Sequence, residues 1–265
     1  PDLPVIKHRS RFFRDGFLSM IIIGKSGCGK TRFLTSILPG IAESIKTVIV
    51  ASVIKDVPLH KAIVDYYKKI GIRTGTANTP EEMKVATMLL EERGDVSLTN
   101  QGLIIFDDFN TGKATGPYWD FVVHAFTKLR NSGWNFIIMA QQPSFLPPIV
   151  RTCSTCRVLF DCYTKSAFST FAKDVMDRLP SRAHFGTLVR YLQEVPYSYI
   201  LVQEHPFEIS AGKLNQCKTV LGKNMVRVPS IGELEKELGV TNTDALDEKT
   251  KALQIKAGNT SQMLQ

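Results

Sequence analysis

No stretch of this chain comes near the roughly 18 consecutive apolar residues of a membrane-spanning helix, so no membrane span is expected. Cysteine is scarce and odd in number: five in 265 residues, at Cys28, Cys153, Cys156, Cys162 and Cys217. That argues against a disulfide framework and points to reduced thiols in a cytosol-like compartment. Cys153 and Cys156 form a lone C-x₂-C followed by Cys162. A zinc site would need a fourth ligand, and Asp161 cannot easily share a site with Cys162, because adjacent side chains on one strand point to opposite faces. Internal repeats and low-complexity tracts are missing too. Acidic residues are in deficit, 25 against 33 Lys and Arg, which leaves a formal charge of +8. Such an excess favours a polyanionic partner without naming one. The basic opening PDLPVIKHRSRFFRDG leads into the short apolar run LSMIIIG and then a glycine loop, so a strand is expected there and not a signal peptide.

What is present is an alternation of short apolar runs and helical patterns. Residues 18–23, 46–52, 102–107, 135–140 and 157–161 read as strands, the later ones apolar enough to be buried on both faces. Helical stretches fall at 30–38 (closed by Pro39 and Gly40), 57–71, 80–92, 117–130, 166–178 and 182–193, and 197–203 is strand-like again. This pattern predicts an α/β fold, a three-layer sandwich with a mostly parallel central sheet. After about residue 214 large apolar residues thin out. The chain therefore divides into an expected core domain, 1–213, and a tail, 214–265, with short helices near 231–238 and 244–256 that would dock on the core or bind a partner.

Residues 24–31, G-K-S-G-C-G-K-T, match G-x-x-x-x-G-K-[ST] in full, directly after an apolar strand and before a helix. Gly24, Gly27 and Gly29 let the backbone curl and aim N–H groups at phosphate oxygens. Lys25, Ser26 and Cys28 would contribute through backbone. Lys30 would reach the β- and γ-phosphates, and Thr31 would place its hydroxyl on Mg²⁺. ATP and Mg²⁺ are the expected ligands. In L-I-I-F-D-D, residues 103–108, a carboxylate at the end of a buried strand suits Mg²⁺, a role assigned to Asp107. Asp108 would then polarise the attacking water, unless both aspartates serve only the metal. The strand NFIIMA ends in Gln141, an amide placed to sense the γ-phosphate.

Arg130, Gly133, the run 136–140, Gln141 and Pro143 resemble the R-A-x-G-I-H-hydrophobic-Q-x-P stretch of the FtsK/HerA translocase superfamily. Within it the chain is most similar to the genome-packaging ATPases of large DNA viruses, the poxvirus-like group. The resemblance spans about residues 16–165. It departs from bacterial members at Asp108, where they commonly carry glutamate, and at Asn135, where they often carry histidine. It implies a P-loop NTPase of the RecA/ASCE type with strand order 5-1-4-3-2 plus added strands. It also implies a homo-oligomeric ring, hexameric or pentameric, around double-stranded DNA, working inside the host cell, with a capsid or portal-vertex protein as a further candidate partner. Arg130 matches the arginine finger given to the neighbour's nucleotide, with Arg151 and Arg157 in reserve.

For DNA contact the loop 110–116 offers Lys113, and the N-terminal stretch offers Arg9 and Arg11. Three other readings stay open on the residues: a nucleotide-gated assembly switch, a P-loop phosphotransferase with its arginines in 166–193, and a single-stranded nucleic-acid helicase.

Overall fold

The computed structural model describes residues 17–107, 115–175, 182–204, 207–214 and 226–227. Among these residues nine strands form one sheet. In chain order they are β1 (Ser19–Ile23), β2 (Ile45–Ser52), β3 (Arg73–Ala77), β4 (Gln101–Asp107), β5 (Trp134–Ala140), β6 (Cys156–Phe160), β7 (Ser198–Glu204), β8 (Phe207–Lys213) and β9 (Val226–Arg227). Their order across the sheet is β3-β2-β4-β5-β1-β6-β7-β8-β9. Strands β3 to β6 of that series run parallel, and β7, β8 and β9 add on antiparallel.

This nine-strand order is not the expected 5-1-4-3-2, and the difference arises at the edges. β3, reading RTGTA, is added outside β2, and three antiparallel strands lie beyond β6. In the interior β6-β1-β5-β4-β2 are consecutive neighbours, with β5 between the P-loop strand and the acidic strand. β9 lies inside the segment read as a tail, and Leu214 is buried in the core, so the start of that segment is continuous with the sheet. The two short helices expected at 231–238 and 244–256 lie outside the described residues.

Alternation along the strands builds two cores. On β1, Met20 and Ile22 face one side, against α1 (Lys30–Ala42) and α2 (Pro58–Lys69) through Phe33, Ile37, Ile63 and Tyr67. Ile21 and Ile23 face the other, against α3 (Pro80–Glu92), α4 (Pro117–Thr127), α6 (Lys165–Val175) and α7 (Arg182–Glu194). The short α5 (Pro148–Thr152) lies between β5 and β6.

Sequence chemistry explains most boundaries. Thr79 caps α3 in a reciprocal capping box with Glu82, with Pro80 in the first turn. The first helix was expected to stop at Pro39, yet α1 runs on to Ala42. Pro39 withholds one backbone N–H, but Ile37, Leu38 and Ile41 are all buried and hold the last turn against the sheet. No described helix is long and apolar enough to cross a membrane.

Candidate nucleotide-binding site

Parallel β1, β4, β5 and β6 all end at the same edge of the sheet. Antiparallel β7 begins there, since Tyr199 pairs with Phe160. Loops at this edge enclose a cleft of about 790 Å³, lined among others by Gly29, Lys30, Thr31, Asp107, Gln141 and Tyr197.

The phosphate loop is fixed by its own backbone. Gly24 N–H donates to Ala140 O of β5 (3.1 Å), and Lys25 N–H donates to Asp161 O after β6 (2.8 Å). The loop is thus pinned to both strands that flank β1. Gly24 has no room for a side chain: a Cβ would come within 2.6 Å of the Phe160 Cβ and 2.7 Å of the Cys28 Sγ. Gly29 has φ +111°, and a Cβ there would lie 2.2 Å from Leu214. α1 begins at Lys30, so its N-terminal dipole points into the cleft. Lys30 Nζ donates to the carbonyls of Gly24 (2.6 Å) and Lys25 (2.9 Å), within reach of any phosphate seated on the loop.

The other loop residues divide by role. The Lys25 ammonium pairs with the Asp161 carboxylate, outside the cleft lining; that hydrogen bond raises the lysine's pKa. Cys28 is buried, and burial pushes its thiol up, so it packs as an apolar group. Cys162 next to β6 is likewise pushed up to about 12 by burial. Ser26 N–H donates to the Tyr163 hydroxyl (3.2 Å). Thr31 is exposed at the start of α1 and lines the cleft.

Asp107 ends β4 and also lines the cleft. Its Oδ2 is 2.9 Å from Nε2 of His60, a buried residue in the first turn of α2. An Nε2–H donated to Oδ2 fixes the carboxylate and leaves Oδ1 for a cation. Sequence reading missed His60, because its partner lies 47 positions away and nothing local announces the pair. A hydroxyl at Thr31 and a carboxylate oxygen at Asp107 are hard oxygen donors of the kind Mg²⁺ takes. Gln141 follows β5, lines the cleft, and its side chain makes no hydrogen bond among the described residues.

The remaining expectations scatter. Arg130 is exposed in a 3₁₀ turn, Leu129–Ser132, at the start of β5 and so at the sheet edge opposite the cleft. It cannot serve its own chain's site. Arg151 is committed to Asp174 (3.1 Å) and to the carbonyls of Pro143 and Leu146. Arg157 is buried and paired with Glu204. Those internal partners remove both reserves for the finger. Asp108, Lys113, Arg9 and Arg11 lie outside the described residues.

Tyr197 was not anticipated as a site residue. It stands in the turn from α7 to β7 with φ +60°, about 53% exposed, and lines the cleft beside Gly29. A left-handed backbone costs a non-glycine residue about 1–2 kcal/mol.

The fold recurs in solved structures. The genome packaging NTPase B204 from Sulfolobus turreted icosahedral virus 2, in complex with AMPPCP, aligns over 75% of this chain and 98% of its own, with a TM-score of 0.52 and 15% identity. B204, the DNA-packaging ATPase from Sulfolobus turreted icosahedral virus, aligns over 73% and 96%, with a TM-score of 0.50 and 15% identity. This chain shares their fold. At that identity the likeness is one of architecture alone. The B204 complex with ATP-gammaS aligns equally well, at a TM-score of 0.51 and 14% identity. No family model matches the chain, and no curated protein does.

Proposed function

We propose that the chain is a Mg²⁺-dependent ATPase that works as a homo-oligomeric ring and uses hydrolysis to translocate double-stranded DNA into a viral capsid. The observation that carries the ATPase half is the meeting of Lys30, Thr31, Asp107 and Gln141 in one cleft above a phosphate loop pinned on both sides. The DNA half is supported by the fold shared with viral packaging NTPases and by the charge of +8.

In this reading the loop N–H groups and the α1 N-terminus bind the triphosphate. The Lys30 ammonium exchanges the Gly24 and Lys25 carbonyls for phosphate oxygens. Thr31 and Asp107 would hold Mg²⁺, which would offset the charge of the phosphates. His60 keeps Asp107 oriented. Asp108, next along from Asp107, takes the proton of the attacking water. Gln141 orients that water and registers loss of the γ-phosphate. Arg130, turned away from its own cleft, is supplied to the neighbouring subunit's nucleotide, where it neutralises charge on the transferring phosphoryl group.

Steady-state ATP hydrolysis with and without long duplex DNA at low salt tests this, with Lys30→Ala as the blank. Stimulation by duplex beyond that by single strands is the expected result. Hydrolysis indifferent to every nucleic acid, in assembled protein, overturns the translocase and leaves a nucleotide-gated assembly ATPase.

A further inference from the structure

Tyr197 belongs to neither hydrophobic core. The turn 195–198 is closed by Ser198 N–H donating to Val195 O (3.2 Å), with Pro196 second and Tyr197 third at φ +60°. A positive φ at the third position of such a turn calls for glycine or asparagine, not for a large aromatic. The strained residue is nonetheless held firmly. Leu214 N–H donates to its carbonyl (3.1 Å), and the Ser198 hydroxyl bonds the carbonyls of Val195 (2.7 Å) and Tyr191 (3.3 Å). The ring itself stays about half exposed, beside Gly29: a Cβ built on that glycine would lie 3.6 Å from Cδ1 of the tyrosine. Strain kept at a surface aromatic, in a cleft, is the pattern of a ligand contact.

The sheet order says which part of a ligand arrives there. Along the cleft edge the strands run β4, β5, β1, β6, β7. Asp107 and Gln141 end β4 and β5, on one side of the phosphate loop, whereas Tyr197 precedes β7, on the other. A nucleotide whose terminal phosphate faces Asp107 and Gln141 must send its nucleoside the opposite way, toward β6 and β7. Resting on the nucleotide-site reading above, we infer that Tyr197 is the stacking platform for the nucleobase of the bound nucleoside triphosphate. A phenol ring offers a π-face to any base, and the tight turn presents it in one orientation before the ligand arrives.

Calorimetric titration of the full chain with a non-hydrolysable ATP analogue and, separately, with inorganic tripolyphosphate tests this. Tyr197→Ala should weaken the analogue about tenfold, as loss of base stacking does elsewhere, and leave tripolyphosphate within about twofold. Tyr197→Phe should bind both as the parent does. Tyr197→Gly should melt at a higher temperature, because glycine suits the positive φ, and still lose affinity for the analogue. Unchanged analogue affinity in Tyr197→Ala overturns the inference. So does an equal loss for both ligands, which would mark a structural role. Lys30→Ala binding both ligands as the parent does would instead overturn the phosphate-loop reading beneath it.

Discussion

Strand β5 carries an amide at each end, and the two behave differently. Asn135, near its start, is buried. Its Oδ1 accepts from Leu18 N–H (2.6 Å), and its Nδ2 donates to Gly102 O (3.0 Å) and Gln101 Oε1 (3.2 Å). It ties β1, β4 and β5 together where they begin. Gln141, just past the other end, is half-buried and faces the cleft with its amide uncommitted among the described residues. Arg157, buried at the same starting edge, is likewise spent on a partner, Glu204. At the finishing edge Thr31 and Gln141 line the cleft. For these two amides residue type is a poor guide to role, and the end of β5 that each occupies decides.

That division is breakable by substitution. The largest effect expected is at the finishing edge: Lys30→Ala should lower ATP turnover about 10²–10³-fold, the usual cost of losing a group that meets transferring charge. Its melting temperature should stay close to the parent's, as the ammonium bonds only loop carbonyls. Turnover that survives the change would break the comparison at once. At the starting edge the pattern should invert. Asn135→Ala strands the Leu18 N–H in the core, and about 1–3 kcal/mol of stability should go. Urea unfolding would measure it, and turnover per folded molecule should hold.

The positions along the chain at which these two edges fall were legible in part. Apolar runs located β1, β2, β4, β5, β6 and β7 because each is buried on both faces and so lacks the alternation that would blur it. Strands β3 (RTGTA) and β8 (FEISAGK) escaped notice, having few large apolar residues and lying toward the sheet's margins. In β8 the gap at Gly212 is filled from β7, where the Tyr199 hydroxyl lies 2.3 Å from the place a Cβ would take. For the site, the phosphate loop, Asp107 and Gln141 announce themselves by motif and by strand ends. His60 and Tyr197 do not, because their meaning comes from partners far away in sequence. Tyr197 reads in the sequence as the start of a strand over 197–203, and only the fold shows it in a turn beside Gly29.

A sharper test of the comparison is Gln141→Ala. If this amide meets the water and the γ-phosphate, turnover should fall by about ten- to a hundredfold, less than for a charged group. The affinity for a non-hydrolysable ATP analogue should change little, and so should stability. A stability loss matching that of Asn135→Ala would mean that both ends of β5 are structural, and would remove Gln141 from the mechanism.

The smallest effect separates two lysines of one loop. Lys25 pairs with Asp161 and turns from the cleft, so although it stands at the finishing edge it should behave like a residue of the starting one. The pair is partly exposed, 39% at the lysine and 19% at the aspartate, so solvent screening limits it to under about 1 kcal/mol. Its hydrogen bond to Asp161 raises the lysine pKa in the folded protein above the ordinary 10.5. A raised folded pKa means that the contribution is fully present below the unfolded value and is lost as pH climbs through the folded one. Lys25→Met should therefore be slightly less stable than the parent at pH 7, and the gap should close in strongly alkaline solution. Unfolding curves at the two pH values would show it. A gap independent of pH would place the stabilisation in the lysine's methylene stem and not in its charge.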